Sequence, residues 1–216
     1  MKRKVTGRLD QFTRPKTKSK PFRYSVMTFS AANEALESVY WKPEISYVIK
    51  SIQALNEIKY ISFRLNMLKS KINPRSLKPI AIEDDRTQCF TTVLRDVAYI
   101  IDFDIVVKSY AIEPGVDAIA KHSSILFRRV KNGQHFKHPY LGCKEYVANI
   151  TLPDGTEQPH ESLLGYQDMG LMPDKIQYVP TPKGNIFWKD KDNWVKGVAV
   201  PDFKPFKMVD GLLQRV

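Results

Sequence analysis

The chain has 216 residues, of which 43% are hydrophobic and 26% charged, and this composition excludes a disordered protein. Lys and Arg number 34 against 23 Asp and Glu, a net charge of +11, and residues 1–24 alone hold nine basic residues and one acidic residue. This concentration predicts a polyanionic partner, because basic side chains that neutralise phosphates release condensed counterions. A solvated basic tail and contact with an acidic membrane surface are the alternatives.

The cysteines and histidines indicate no metal site, and we expect no cofactor. Cys89 and Cys143 are too few for a disulfide framework and form no CxxC motif. His135 and His138 have no cysteine nearby, so a polar loop is favoured over zinc. Because there is no apolar run of about 18 residues and no signal-peptide pattern, we expect a cytoplasmic protein without a membrane partner.

The first third of the chain predicts a strand, a loop and two helices. Residues 1–12 mix charged and apolar positions, which fits a first strand, whereas residues 13–22 hold two prolines and four basic residues and predict an exposed loop. A helix is predicted from an N-cap at Ser30 to Pro43. A second, short helix is predicted within 45–55 from an apolar stripe at helical spacing.

The rest of the chain predicts strands around one further helix. Residues 57–68 alternate with one slip near residue 60, which predicts a long strand with a bulge, and 69–86 predict a loop. The β-branched and aromatic run 96–108 predicts the central strand. A helix is predicted within 116–132, ending at Asn132, and short strands follow residue 139.

This order predicts an α+β protein. Strand, helix, strand, strand, helix, strand fits a ferredoxin-like β-α-β-β-α-β domain, here residues 1–150, with residues 151–216 as a small β-rich C-terminal domain. The same layout occurs in RNA-binding domains and in many others, so it favours RNA binding without establishing it.

Three separated strings carry a family resemblance. They are residues 7–15 (GRLDQFTRP) with 24–26 (YSV), residues 37–43 (ESVYWKP), and residues 121–129 (KHSSILFRR) followed by 139–145 (PYLGCKE). Together and in this order they resemble the type I-C (Dvulg-subtype) CRISPR-associated proteins of the fifth family. The resemblance covers roughly residues 5–150 and the remainder only loosely. One departure is Arg8, where the family usually has an acidic residue.

The resemblance implies an RNA-recognition-like (RAMP) ferredoxin fold with a β-rich C-terminal part. It also implies an endoribonuclease that binds the stem-loop of the CRISPR repeat and cuts at the 3′ base of the stem without metal. The protein then stays at the 5′ handle beside the backbone and large subunits of the interference complex, with target DNA as a further partner. The family's catalytic Tyr, Lys and His correspond to Tyr40, Lys121 and His122, which are all present.

These residue types suit metal-free RNA cleavage, in which a 2′-OH attacks the adjacent phosphate. A histidine can transfer protons near neutral pH, and a lysine can stabilise the charged transition state. A tyrosine can orient the reacting group or relay a proton. Since consecutive helical residues point about 100° apart, Lys121 and His122 converge on one phosphate only at a helix start or in a loop. Ser123 is therefore the expected N-cap of the second long helix.

The remaining candidates are RNA contacts. Phe12 and Phe22 either stack on bases or anchor their loop. Arg128 and Arg129 either contact phosphate or complement the helix dipole. Trp41 is expected in the core. The RNA-binding candidates are Phe12, Arg14, Lys16, Lys18, Lys20, Arg23, Lys42, Arg128 and Arg129.

Three other functions compete with this interpretation. The first is a non-catalytic scaffold that caps the 5′ handle of the crRNA, although the intact Tyr40, Lys121 and His122 argue against it. The second is a nonspecific basic protein that uses only residues 1–24. The third is a metal-dependent DNase, which no carboxylate cluster in the sequence supports.

Overall fold

A computed structural model describes residues 1–12, 23–70, 81–111, 117–190 and 193–216. Within these ranges the chain forms two α-helices, two short 3-10 helices (Ser109–Ala111 and Glu161–Leu163) and eleven strands. The α-helices are α1 (Phe29–Val39) and α2 (Ala118–Lys131), and the strands are β1 (Lys2–Asp10), β2 (Ile45–Ala54), β3 (Lys59–Leu68), β4 (Arg86–Val107), β5 (Tyr140–Leu141), β6 (Cys143–Val147), β7 (Asn149–Thr151), β8 (Tyr166–Pro180), β9 (Ile186–Asp190), β10 (Asn193–Val209) and β11 (Leu212–Arg215).

The first part of the sheet has ferredoxin-like topology. Its strands lie in the order β7-β1-β4-β2, and each neighbouring pair is antiparallel. β1 and β2 are therefore parallel to each other with β4 between them, and α1 connects them. This arrangement is the split β-α-β of the ferredoxin-like fold, which confirms the predicted α+β class. As expected, the run 96–108 lies in the central strand, β4.

The second strand of this motif is not the segment that the sequence indicated. Residues 45–54, predicted as a short helix, form β2. The predicted strand 57–68 is β3, which lies outside the four-stranded motif and pairs with the N-terminal half of β4. Its pairing runs without a register shift, so the bulge predicted near residue 60 is absent.

Both helices begin earlier than their predicted caps. Thr28, not Ser30, caps α1, and its hydroxyl accepts a hydrogen bond from the Ala31 N–H at 3.2 Å. Asp117, not Ser123, caps α2, and its carboxylate accepts from the Ala120 N–H at 2.9 Å. Because Thr28 and Asp117 can each accept a backbone hydrogen bond, either satisfies the helix start as well as serine does. The C-terminal end of α2 at Asn132 is as predicted.

The C-terminal strands extend the same sheet. β11 pairs with the free edge of β2 through Leu212 and Leu213, and β10 and β8 follow outward. β9 pairs with the N-terminal end of β10. The Phe206 ring on β10 packs 4.6 Å from the Phe29 ring of α1. The predicted domain boundary at residue 150 falls within β7, and the division into two domains stays a prediction.

Two observations bear on membranes and metals within the described ranges. No described helix combines the length and apolar character needed to cross a bilayer. No group of three or more His, Cys, Asp or Glu side chains among the described residues is arranged to hold a metal ion.

Candidate active site

Tyr40 and His122 form a direct hydrogen bond between the two helices. The Tyr40 hydroxyl lies 2.8 Å from Nδ1 of His122, and the two rings lie 5.9 Å apart, although 82 positions separate the residues in sequence. The exposed fractions of the two residues are only 2% and 4%. The fold therefore brings two of the three predicted catalytic residues into contact, in an almost fully enclosed position.

The backbone of Tyr40 is held where α1 ends. Tyr40 leaves the helix in an extended conformation, and its N–H donates to the Leu36 carbonyl at 3.1 Å. The Tyr47 hydroxyl of β2 donates to the Tyr40 carbonyl at 2.6 Å, which fixes the other side of the same residue. These bonds orient the phenol ring toward α2.

His122 projects inward from the second turn of α2 and presents its other nitrogen to Glu44. The distance from Nε2 to the Glu44 carboxylate is 3.8 Å, and the Glu44 carbonyl is anchored by the Lys108 N–H at 2.8 Å. The imidazole therefore lies between a phenol on Nδ1 and a carboxylate near Nε2. Glu44 was not among the residues predicted from the sequence, and its position directly after the string 37–43 is the signal that could have identified it.

Burial and nearby charges set the protonation of this pair. Burial lowers the pKa of His122; the Glu44 carboxylate raises it, and the ammonium groups of Lys121 and Lys42 lower it again. Burial raises the pKa of the Tyr40 hydroxyl, which the Arg129 guanidinium opposes. The resting pair is thus a protonated phenol and an imidazole whose neutral form is favoured.

Lys121 lies beside this pair without joining it. It is exposed in the second turn of α2, about 100° around the helix from the inward-pointing His122. The expectation that both residues precede the helix is wrong, because the helix begins at Asp117. Lys121 and the exposed Lys42 instead supply positive charge near His122 from the solvent side.

The two consecutive arginines of α2 have different surroundings. Arg128 is exposed, whereas Arg129 is half-buried. The Arg129 guanidinium lies over the Tyr40 ring, 5.1 Å from its centroid, and its Nη1 donates to the Val39 carbonyl at 2.9 Å. Arg129 therefore contacts the candidate catalytic tyrosine directly, an arrangement that neither of the two sequence interpretations included.

For Phe12 the structure favours one of the two alternatives that the sequence left open, whereas for Trp41 it contradicts the expectation. Phe12 is buried, with its ring 6.4 Å from that of Tyr99, so it anchors the chain and presents no free face to a base. Trp41, expected in the core, is exposed next to Tyr40. Because Tyr40 already fills the buried position at this helix end, the following side chain points to solvent.

Of the basic residues predicted to bind RNA in the N-terminal segment, the structure describes only Arg23. Arg14, Lys16, Lys18 and Lys20 lie outside the described residues, as does Phe22. Arg23 is half-buried near Tyr146 and Cys143, and burial lowers its pKa. Its Nε and Nη1 atoms are buried without a hydrogen-bond partner among the described groups. Such a donor pair is costly to leave unpaired and suits an anionic acceptor.

Comparisons with known proteins match the whole chain. A family profile described as CRISPR-associated protein (Cas_Cas5), the Cas5d group, matches residues 1–207. A relative from Thermus thermophilus, named CRISPR pre-crRNA endoribonuclease Cas5d, is 33% identical over 99% of this chain and 90% of its own length. A relative of the same name from Mannheimia succiniciproducens is 36% identical over 89% of this chain and 90% of its own length.

Two solved structures share the fold. A functionally uncharacterised Streptococcus mutans protein has a TM-score of 0.65 at 19% identity, covering 100% of this chain and 91% of its own. A CRISPR-associated protein has a TM-score of 0.65 at 21% identity, covering 100% of this chain and 90% of its own. The resemblance seen in the sequence is thereby confirmed, and the chain belongs to the Cas5d family of CRISPR-associated proteins.

Proposed function

We propose that this protein is a metal-independent endoribonuclease that binds the CRISPR repeat hairpin and cleaves pre-crRNA at the 3′ base of the stem. The observation that carries the proposal is the hydrogen bond of 2.8 Å between the Tyr40 hydroxyl and His122 Nδ1. The relatives from Thermus thermophilus and Mannheimia succiniciproducens both carry the name pre-crRNA endoribonuclease, which supports the same activity.

The proposed chemistry is a transesterification within the RNA. The 2′-OH loses its proton and attacks the adjacent phosphorus, the bond from phosphorus to the 5′ oxygen breaks, and that oxygen takes up a proton. The products are a 2′,3′-cyclic phosphate and a free 5′-OH. The chain must therefore supply a base, an acid and positive charge on the nonbridging oxygens.

The protonation state of His122 decides its role in this scheme. The neutral ring with its proton on Nδ1, donated to the Tyr40 oxygen, leaves Nε2 unprotonated, where it can accept the 2′ proton. The imidazolium, which is protonated on both nitrogens, can give its Nε2 proton to the leaving 5′ oxygen. Tyr40 orients the ring in either case, and we assign Lys121 and Lys42 to the electrostatic stabilisation of the phosphate from the solvent side.

After cleavage, the protein stays bound to the crRNA 5′ handle as a subunit of the type I-C interference complex. Its neighbours there are the backbone and large subunits, and target DNA bound by the assembly is a further contact. The basic segment 1–24, with nine cationic side chains, supports a lasting contact with polyanions.

The second candidate function is a non-catalytic scaffold that caps the 5′ handle. One observation favours it: Tyr40 and His122 are almost fully buried, so a phosphate reaches them only if the surroundings of the pair move. A purely structural hydrogen bond between α1 and α2 would look the same.

The test is cleavage of an end-labelled repeat hairpin in excess EDTA. We expect the wild type to cut once at the 3′ base of the stem. Three variants should bind the hairpin but cut it at least about 100-fold more slowly, which is the usual contribution of one acid–base group to the rate. They are His122→Ala, Lys121→Ala and Tyr40→Phe. A 2′-deoxy substitution at the cut site should abolish cleavage.

Lys131→Ala is the matched control, since Lys131 is an exposed lysine of the same helix near its other end. It should cut at the wild-type rate. If the wild type binds the hairpin and never cuts it, the scaffold function is correct and the endoribonuclease proposal is wrong. If cleavage requires added Mg²⁺, the metal-independent chemistry is wrong.

A further inference from the structure

The outer end of the C-terminal sheet carries an aromatic and basic surface on one of its two faces. The surface is formed by Phe187 on β9 with Trp194 and Lys196 on β10, and we name it the arm platform. Phe187 is 61% exposed and Trp194 is 73% exposed. Neither residue belongs to the candidate active site.

The strand register places these side chains on the same face. Phe187 lies directly opposite Lys196, and the Lys196 ammonium is 5.9 Å from the centroid of the Phe187 ring. Trp194 is two residues from Lys196 on the same strand, so it points the same way. Phe187 and Trp194 are diagonal neighbours, about 7–8 Å apart, which gives two separate flat surfaces side by side.

On the opposite face of the same strands the aromatic side chains contact each other. The Trp188 ring lies over Gly197, where an added Cβ would come within 2.5 Å of it, and its centroid is 5.4 Å from that of the tilted Tyr178 ring. Tyr178 also lines a cleft beside Glu34 and Glu37 of α1. The rings of Trp188 and Tyr178 therefore contact each other. Among the described residues, the rings of the arm platform have no aromatic partner.

The net charge of the sequence around the arm platform differs in sign from that of the rest of residues 151–216. Residues 175–200 hold five lysines and two aspartates, a net charge of +3. The other forty residues of 151–216 hold three basic and seven acidic residues, a net charge of −4. Positive charge is therefore concentrated in the stretch of sequence that carries the exposed rings, and it favours a polyanionic partner.

We propose that the arm platform binds single-stranded nucleic acid, with the unpaired RNA next to the repeat hairpin as the occupant. Two bases stack on Phe187 and Trp194, while Lys196 lies against the phosphate backbone between them. Stacking of this kind tolerates any base sequence, because every base has an aromatic face. The choice of RNA rests on the proposed function, whereas the preference for a single strand rests on the rings and charges of the surface.

The experiment compares two fluorescent RNAs, the bare repeat hairpin and the same hairpin with a ten-nucleotide uridine flank. The wild type should bind the flanked RNA more tightly. The double variant Phe187→Ala with Trp194→Ala should lose that gain, on the order of tenfold in Kd or more, and bind the bare hairpin as the wild type does. Its cleavage rate at saturating RNA should be unchanged, which separates this proposal from the endoribonuclease function.

Phe90→Ala is the matched control, because Phe90 is 70% exposed on β4 and also has a cation, Arg64, over its ring at 5.2 Å. It should bind both RNAs as the wild type does. Quenching of tryptophan fluorescence by the flank should disappear in Trp194→Phe, although the phenyl ring preserves affinity. The proposal is wrong if the double variant keeps the gain from the flank, or if it loses affinity for both RNAs equally. If the double variant binds both RNAs normally but no longer assembles with another subunit, the proposal is also wrong, and the surface is a protein interface.

Discussion

The guanidinium of Arg129 lies over the ring of Tyr40, 5.1 Å from its centroid, and is tethered there by a hydrogen bond of 2.9 Å from Nη1 to the Val39 carbonyl. A cation in this position attracts the negative face of the ring and stabilises any negative charge that develops on the phenol oxygen. It also lowers the pKa of Tyr40 against the opposing effect of burial. Arg129 is thus a positioning residue for Tyr40 rather than only a contact for RNA.

The first prediction separates these two roles of Arg129. Arg129→Ala should lower the single-turnover cleavage rate at saturating RNA by roughly tenfold, which corresponds to about 1.4 kcal/mol of lost interaction with Tyr40. Arg128→Ala, the exposed neighbour, should leave that rate unchanged and affect only the Kd for RNA. An Arg129→Ala variant that bound RNA more weakly but cut at the wild-type rate would assign Arg129 to RNA binding alone.

The second prediction uses the opposing charges around His122. The Glu44 carboxylate raises the pKa of His122 and the Lys42 ammonium lowers it. Glu44→Gln should therefore move the His122 titration, and the matching limb of the pH–rate profile, to lower pH. Lys42→Gln should move both to higher pH. The measurement is an NMR titration of the His122 ring protons beside the cleavage profile, and shifts in the same direction for both variants would contradict the electrostatic argument.

The misassignment of β2 has a specific physical cause. Residues 45–55 have apolar side chains at helical spacing. In the structure, buried and more exposed side chains alternate along the strand until a register shift between Ile49 and Ser51. Before the shift Ile45, Tyr47 and Ile49 are buried, and after it Ile52 is, so the alternation skips one position. One β-bulge therefore converts a period of two into an apparent helical period. Nothing in the local sequence distinguishes the two, because the bulge is stabilised by pairing with β4.

The sequence identified Tyr40 and His122 of the candidate site, but it missed Glu44 and the geometry of the site. Tyr40 and His122 were identified through the family strings, and the fold brings them together as that resemblance implies. Asp117 was missed as the cap of α2, so the sequence placed Lys121 and His122 before the helix rather than inside it. Glu44 lies 78 positions before His122, and their proximity depends on how β2 and α2 are brought together. Only the tertiary structure contains that information.

The third prediction concerns the buried carboxyl group at the end of β1. Asp10 is fully buried, its Oδ2 accepts a hydrogen bond from the Tyr99 hydroxyl at 3.1 Å, and its Oδ1 has no hydrogen-bond partner in the described part of the chain. Burial raises the pKa of Asp10 from 3.8 to about 8. Between these two values the unfolded chain releases the proton while the folded chain keeps it. The free energy of unfolding should therefore fall by up to about 1.4 kcal/mol per pH unit from about pH 4 to about pH 8.

Asp10→Asn should remove this loss, since the amide keeps an acceptor for Tyr99 and has no proton to release. Urea unfolding at several pH values should show the variant gaining on the wild type as the pH rises, by a few kcal/mol at pH 8. Parallel stability curves for the two proteins would mean that the pKa of Asp10 is not raised in the folded state.

The last prediction explains the glycine of the string 139–145. Gly142 joins β5 to β6 with φ at +75°, a conformation that other residues adopt only with strain. A Cβ at this position would come within 2.1 Å of the Gln11 carbonyl oxygen and 3.2 Å of the Phe12 ring. Gly142→Ala should therefore combine backbone strain with displacement of the chain that follows β1, and destabilise the protein by at least about 2 kcal/mol. Gly155→Ala is the matched control, because Gly155 has φ at +86° and no atom within 4 Å of an added Cβ. It should lose only the free energy of the backbone strain, about 1 kcal/mol. In thermal unfolding, the melting temperature of Gly142→Ala should therefore be well below that of Gly155→Ala. Equal melting temperatures would mean that the close approach to Gln11 does not constrain the residue at position 142.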